Sequence, residues 1–261
     1  TNTYLGDYPM FLPGGKEQIA GEYQPGWMLL SYGKKVSVSS SLEGYPAENI
    51  VDEDARTAWV AQSNRDMEWA QVDLQRLSSI HAIQVNFDEY GANQKGAVSG
   101  VYQSYLIYAS VNGEDWSLVV DYGTKKTDTP HDYIEFEEPF KARYIKLQNK
   151  EYTVSENFSV RDLRIFGKGQ GSTPRAVNDF TVERDEADPC KARLCWEAVP
   201  DAQGYIVRYG IAGDKLYNNF QVMGENTLEI GSLNKGVAYY FTIDAYNENG
   251  ITRTSRIKVC R

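Results

Sequence analysis

The sequence lacks most of the residues and motifs on which enzyme and metal chemistry usually depends. Its 261 residues include only two histidines and three cysteines, with no C-x-x-C pair. It contains no His-Glu-x-x-His, no phosphate-binding G-x-x-x-x-G-K-[ST] and no G-x-S-x-G, so zinc sites, P-loops and hydrolase nucleophiles are not predicted. Carboxylates are plentiful, which leaves a paired-acid glycosidase site open, but such pairs usually line a cleft on a larger scaffold. We predict a chain without catalytic residues of its own.

Positive charge is also scarce. The chain has 27 basic and 36 acidic residues, a net charge of −9, and its longest basic clusters are pairs, Lys34–Lys35 and Lys125–Lys126. Such a chain repels nucleic-acid phosphates and anionic lipid headgroups. No apolar run approaches the roughly 20 residues that cross a bilayer as a helix. Neither nucleic-acid binding nor membrane insertion is therefore predicted.

What the sequence does contain is a long series of short segments in which apolar and polar residues alternate. Seven of them lie between residues 69 and 166, and seven more between 177 and 259. This alternation is typical of antiparallel β-sandwiches, and residues 34–168 show no long helical period. The fold class is predicted to be all-β, with two sandwiches in succession. A segment rich in Gly, Ser and Pro, GKGQGSTPR, separates them. The predicted organisation is an extended strap rich in Pro and aromatic residues (1–33), a first sandwich (34–168), a linker (169–174) and a second sandwich (175–261).

One acidic stretch carries possible metal ligands. Residues 47–59, AENIVDEDARTAW, place two carboxylates one residue apart, at Asp52 and Asp54, and a hydroxyl at Thr57. An EF-hand is excluded, because its sixth position would be Thr57 in place of Gly and its twelfth Ser63 in place of Glu. Two alternatives remain. One is a polar β-turn, in which Asp side chains bond their own backbone, and the other is a metal-binding loop.

The residues around this stretch resemble the discoidin, or coagulation-factor type C, family, which includes the family 32 carbohydrate-binding modules and has an eight-stranded jelly-roll sandwich. The matching segments are YPAENIVDEDARTAWVAQ, EWAQVDL, AIQVNF, YASVNGEDW, ARYIKLQ and RDLRIFG. The resemblance implies a structural Ca²⁺ with four ligand residues, Asp52, Asp54, Thr57 and Asp162. A Ca²⁺ ion takes six or more oxygens and would relieve the repulsion between neighbouring carboxylates. The chain departs from the family at Glu53, where Gly is usual, and at Asp162, where the longer Glu is usual.

In the resembled modules a sugar is bound by loops at one end of the sandwich. An aromatic ring lies under the apolar face of the sugar, and polar side chains bond its hydroxyls. The corresponding loops here are 62–69, 88–103, 127–132 and 151–158. The resemblance points to six residues in the last three loops: Tyr90, Asn93, Tyr102, His131, Tyr152 and Asn157. The alternative for each is an ordinary surface or turn residue, in a chain that has nineteen tyrosines.

The last part of the chain resembles a fibronectin type III domain. In LNKGVAYYFTIDAYNENG (233–250), Tyr239 occupies the tyrosine-corner position, six residues after Leu233. Strand B begins and strand G ends at the same end of that fold, so the resemblance implies a disulfide between Cys190 and Cys260. Three free thiols remain the alternative. A disulfide would fit an extracytoplasmic protein.

The order of these segments resembles the C-terminal, non-catalytic part of gut-bacterial glycoside hydrolases of family 43, whose members include xylosidases and arabinanases. The strings that carry this resemblance are GDYPMFLPG, GWMLLSY, TDTPHDYIEF, KLYN and AYNENG. It implies a catalytic domain before Thr1, from which part of the strap would come and against which the chain would pack. The predicted function is a non-catalytic carbohydrate-binding or accessory region that targets or braces such an enzyme on plant cell-wall glycan of xylan or arabinan type. The alternative is a protein-interaction or adhesion module without sugar binding.

Overall fold

The computed structural model describes residues 11–13, 25–92 and 100–261, and its contacts divide the chain into two compact units, Thr1–Gln170 and Gly171–Arg261. Among the described residues the first unit contains one short 3₁₀ helix, Ala47–Val51, and nine strands. The strands are β1 (Phe11–Pro13), β2 (Pro25–Leu29), β3 (Lys35–Val38), β4 (Trp59–Val60), β5 (Trp69–Phe87), β6 (Gln103–Ser110), β7 (Ser117–Tyr122), β8 (His131–Tyr152) and β9 (Ser159–Lys168).

Two long antiparallel strands, β5 and β8, organise the first unit. They pair from Trp69 opposite Gln148 to Asn86 opposite His131, and the ladder is interrupted after Asp73. The first half of β5 has β3 as its other neighbour, whereas the second half has β9. The strand order is β1-β2-β9-β5-β8-β6-β7, with β3 on β5 and β4 on β9. Because the long strands change neighbours at the interruption, the sheet folds over into the two layers of a sandwich.

The core of this sandwich consists of the inward-facing residues of the alternating strands, as the period-2 pattern requires. Eight of them are fully buried: Trp59, Ile83, Val85, Ile107, Ile145, Leu147, Leu163 and Ile165. The end of the predicted strap also belongs to this unit. Strand β2 pairs with β9, and Met28 and Leu29 are buried. Residues 1–10 and 14–24 of the strap lie outside the described residues.

The second unit is a sandwich of a three-stranded and a five-stranded sheet. Its strands are β10 (Phe180–Arg184), β11 (Ala192–Trp196), β12 (Gly204–Gly210), β13 (Asn218–Met223), β14 (Thr227–Ile230), β15 (Tyr239–Asn247), β16 (Gly250–Thr252) and β17 (Lys258–Cys260). One sheet has the order β10-β11-β14 and the other the order β13-β12-β15-β16, with β17 also pairing with β15. Trp196, Val207 and Phe241 lie in the core between them. The predicted all-β fold with two successive sandwiches is confirmed.

The cysteines of the second unit are all free thiols, in contrast to the predicted disulfide between Cys190 and Cys260. Cys260 is buried in the hydrophobic core, opposite Tyr239 in the ladder, where it packs as a small apolar side chain. Cys190 lies in the turn before β11 and is only half-buried. The Tyr239 hydroxyl accepts a hydrogen bond from the Asn234 amide at 3.3 Å, the contact expected of a tyrosine corner.

No helix among the residues described is both long and apolar enough to span a membrane.

Candidate functional site

Four loops of the first unit meet at one end of its sandwich. The Phe87 amide, at the end of β5, donates to the carbonyl of Pro130 in the loop before β8. The Asn64 side chain, in the loop before β5, donates to the carbonyl of Tyr152 at the end of β8 at 3.1 Å. The Tyr152 hydroxyl in turn donates to the carbonyl of Asp88. The loops predicted to hold a sugar are therefore neighbours in space.

A tyrosine, a lysine and a glutamate form a polar group on this surface. The Lys126 ammonium lies 5.2 Å from the centre of the Tyr102 ring and 3.7 Å from the Glu151 carboxylate. Hydrogen bonding to Glu151 raises the pKa of the Tyr102 hydroxyl. The Tyr102 backbone is anchored to the next loop, because its amide donates to the Thr153 hydroxyl at 2.8 Å. The group presents a half-exposed ring together with hydrogen-bond donors and acceptors.

A shallow cavity of about 440 Å³ lies beside Tyr102. Its lining consists mainly of polar residues from the loop before β5, the end of β8 and the loop after β8: Asn64, Lys150, Glu151, Tyr152, Thr153, Val154, Ser155 and Glu156. Lys150 is held at its edge by an ion pair with Asp66 at 2.6 Å. Polar linings of this kind suit ligands that are rich in hydroxyl groups.

Three other predicted residues are also at this end of the sandwich. Tyr90 is half-buried and packs edge-on against Tyr45, with ring centres 4.9 Å apart. His131 is exposed, and its Nδ1 lies 3.1 Å from the Asn86 side-chain oxygen. The Asn157 side chain donates to a backbone carbonyl within the loops, that of Ala61, at 2.9 Å. Asn93 lies outside the described residues.

The structure contradicts the prediction for Tyr152. Its side chain is 2% exposed, and its ring packs against Phe87 and Phe158. Its hydroxyl is bonded to Asp88 and Ser159, and burial raises its pKa. A ring buried in this way cannot lie under a sugar, so Tyr152 supports the loops from within.

The acidic loop forms a hydrogen-bonded turn. The Asp52 carboxylate accepts from the Asp54 amide at 2.9 Å and from the Thr57 hydroxyl at 2.8 Å. The Asp54 side chain is 37% exposed and pairs with exposed Arg56 at 3.0 Å, which holds the pKa of Asp54 low. This is the polar turn that the sequence left open as an alternative.

Glu53, between the two predicted ligands, is the residue that turns inward. It has a φ of 61°, a conformation that favours glycine, and its carboxylate forms a buried ion pair with Arg164 of β9 at 3.1 Å. The two side chains are only 6% and 3% exposed. Burial raises the pKa of Glu53 to about 7, Arg164 opposes that shift, and Asp162 and Asp52 reinforce it. The pair was not predicted, although both of its members are charged residues in segments that carry the family resemblance.

The arrangement does not fit the predicted Ca²⁺ site. Asp162 is buried and accepts from the Asn86 side chain at 2.9 Å, and its other oxygen has no hydrogen-bond partner among the described residues. That single oxygen could bind a cation, but Ca²⁺ requires at least six oxygen ligands. Asp54 points outward, and in the described part of the chain no three acidic, His or Cys side chains are grouped to hold a metal. The Arg164 guanidinium supplies positive charge beside the carboxylates of Glu53 and Asp162.

We expect the melting temperature of the chain to be the same in excess chelator and in excess Ca²⁺. An ion that binds only the folded state would raise stability in proportion to the logarithm of its concentration. Thermal unfolding in EDTA, in Ca²⁺ and in Mg²⁺ at equal ionic strength measures this. A melting temperature several degrees higher in Ca²⁺ than in Mg²⁺ would contradict this expectation and support the predicted ligand set.

Comparison with known families agrees with this architecture. Residues 35–163 match the family model of the F5/8 type C domain. These residues make up nearly all of the first sandwich, and we refer to it below as the discoidin domain after this match. Lactadherin from Rattus norvegicus is 33% identical over 110 residues, which are 40% of this chain and 25% of lactadherin. Lactadherin from Mus musculus is 32% identical over 110 residues, 40% of this chain and 23% of that protein. The chain thus spans about a quarter of the length of these relatives.

Solved structures of a chitosan-binding module and of a family 32 carbohydrate-binding module are also similar to the chain. Chitosan-binding module 2 of a chitosanase/glucanase from Paenibacillus sp. IK-5, solved with chitotriose, has 20% identity and a TM-score of 0.45. The alignment covers 53% of this chain and 99% of that module. The family 32 module of NanJ from C. perfringens, solved with galactose, has 18% identity and a TM-score of 0.43. The alignment covers 53% of this chain and 97% of that module.

Proposed function

We propose that the discoidin domain binds carbohydrate through the loop end described above, and that the chain as a whole is a non-catalytic accessory region. The observation that carries this proposal is the group of Tyr102, Lys126 and Glu151 beside the polar cavity of about 440 Å³. Tyr90, with its half-buried ring on Tyr45, lies on a neighbouring loop and offers a second aromatic surface.

The chemistry of this end suits a sugar. A sugar ring has one apolar face, which packs on an aromatic ring, and a rim of hydroxyls that both donate and accept hydrogen bonds. Glu151 accepts, Lys126 donates, and the Tyr102 hydroxyl does both. The shallow shape of the cavity favours the end or a short stretch of a polysaccharide over a fully enclosed small molecule.

The rest of the chain supports a role as part of a larger enzyme. We propose that the second unit is a fibronectin type III domain acting as a spacer, supported by its three- and five-stranded sheets and by the Tyr239 corner. We further propose that the parent protein is an extracytoplasmic glycoside hydrolase of the family 43 type. Its catalytic domain would then be a packing partner, and its target a plant polysaccharide such as xylan or arabinan.

Replacing Tyr102 by alanine is expected to weaken polysaccharide binding about tenfold or more, since it removes the exposed ring and the anchor for Lys126. Affinity electrophoresis and calorimetry on xylan, arabinan and galactan would measure this. Tyr217→Ala is a matched control, because Tyr217 is an exposed tyrosine of the second unit. Equal loss in both variants, or no retardation of the wild-type chain on any polysaccharide, would contradict the proposal. The second result would favour the protein-interaction alternative.

A further inference from the structure

One outward face of the discoidin domain carries a group of aromatic residues around a single lysine. We call it the aromatic face, and it consists of Trp69, Gln71, Tyr108, Trp116, Tyr144 and Lys146. Lys146 lies on β8, directly opposite Gln71 of β5 on one side and Tyr108 of β6 on the other. The residues beside it along β8, Ile145 and Leu147, face the core, so Lys146 faces outward. All six residues are half-exposed.

Lys146 lies between two indole rings. Its ammonium is 3.8 Å from the centre of the Trp116 ring and 5.7 Å from the centre of the Trp69 ring. Tyr144, two residues earlier on the same strand, packs edge-on against Trp116 with ring centres 6.5 Å apart. Partial burial among these rings lowers the pKa of Lys146. The contacts hold the ammonium in one place on the surface.

Lys146 makes no ion pair with any described residue, in contrast to other basic residues of the domain. Arg143 binds Asp73 through two hydrogen bonds of 2.8 and 2.9 Å. Lys125 pairs with Asp132 at 2.6 Å. Lys146 is therefore a positive charge held on an aromatic surface, with no carboxylate of the described residues in ion-pair contact with it.

We propose that the aromatic face is a second glycan-binding surface, specific for acidic sugars, and that Lys146 binds the carboxylate of a uronic acid. A flat sugar ring packs on an indole, and a carboxylate bonded to Lys146 forms a charge-assisted pair. A neutral glycan would use the rings but leave the ammonium unpaired, and an apolar partner would bury it at a cost. An acidic sugar matches both the rings and the charge. This surface shares no residue with the group of Tyr102, Lys126 and Glu151, so it extends the proposed function to a second ligand class.

The probe for this surface is hexagalacturonate, with xylohexaose as its neutral counterpart. The wild-type chain binds hexagalacturonate, and added salt weakens that binding. Lys146→Gln lowers this affinity about tenfold or more, the effect of losing one charge-assisted contact, and Trp116→Ala has a similar effect. Lys141→Gln, an exposed lysine of the same strand, leaves the affinity unchanged. Tyr102→Ala also leaves it unchanged, which separates this surface from the loop end.

Nuclear magnetic resonance of the five indole groups locates the ligand independently of any variant. Hexagalacturonate shifts the indole signals of Trp69 and Trp116 and leaves those of buried Trp59 and Trp196 unchanged. The proposal is overturned if hexagalacturonate does not bind, if Lys146→Gln binds it as tightly as the wild-type chain, or if the shifted signals exclude Trp69 and Trp116. Loss of binding in Tyr102→Ala alone would assign acidic sugars to the loop end.

Discussion

Replacing Arg164 by alanine is expected to destabilise the discoidin domain by about 3–5 kcal/mol, the usual cost of removing one partner from a buried ion pair. Glu53 would keep its carboxylate in a site that is only 6% exposed, close to Asp162 and Asp52, with its nearest cation gone. The loop would have to open or Glu53 to take up a proton, and either change weakens the contact between the acidic loop and β9. We expect a fall in melting temperature on the order of 10 °C for a unit of this size.

Arg56→Ala is the matched control, because it removes the same type of side chain, which also pairs with a carboxylate of the acidic loop. Arg56 is 88% exposed and pairs with Asp54 in solvent, so no measurable change in melting temperature is expected. A double variant, Glu53→Gln with Arg164→Met, should recover part of the loss, because the buried Glu53 charge is removed together with its partner. Thermal unfolding followed by circular dichroism measures all three. An Arg164→Ala chain as stable as the wild type would refute the structural role of the pair.

The acidic loop shows why the fold could be predicted from the sequence while the contacts within this loop could not. The strands could be identified from the alternation of apolar and polar residues, because this pattern depends only on residues that are neighbours in the sequence. The ion pair joins residues 111 positions apart, and nothing local links them. Glu53 also has a φ of 61°, a conformation that favours glycine, and Gly is usual at this position in the resembled family. A position that usually has no side chain therefore carries a buried charge here. Family resemblance therefore pointed to the flanking residues, Asp52 and Asp54, as the functional ones.

The predicted sugar-binding residues show a second limit of prediction from sequence, which is the difficulty of locating the end of a strand. The sequence predicts that Tyr152 lies in a loop, residues 151–158. In the structure β8 continues to Tyr152, because its pairing with β6 extends to Gln103 after a register shift near Ser104. An irregularity of this kind changes which side chains face the core, and it depends on the partner strand. Tyr102, outside the paired segment, keeps a half-exposed ring.

Tyr152→Ala is expected to destabilise the discoidin domain by about 3–5 kcal/mol, as for other aromatic residues removed from a core. The change leaves a cavity beside Phe158, whose ring centre is 5.4 Å away, and removes the hydroxyl that joins Asp88 to Ser159. The ends of β5 and β8 would lose the side chain that ties them together. Tyr133→Ala, a change at a tyrosine that is 44% exposed, should alter stability by only about 0.5 kcal/mol or less.

Tyr152→Phe separates a supporting role from a direct contact with sugar. It keeps the ring and loses only the hydroxyl, at an expected cost of about 1 kcal/mol, because the Asp88 carbonyl still accepts from the Ser159 hydroxyl at 2.8 Å. The folded variant should therefore bind polysaccharide as tightly as the wild-type chain, while Tyr152→Ala should lose binding only in step with unfolding. A Tyr152→Ala chain that keeps the wild-type melting temperature but loses affinity would contradict this and place the ring against the sugar. Chemical denaturation and calorimetry on the same preparations distinguish the two outcomes.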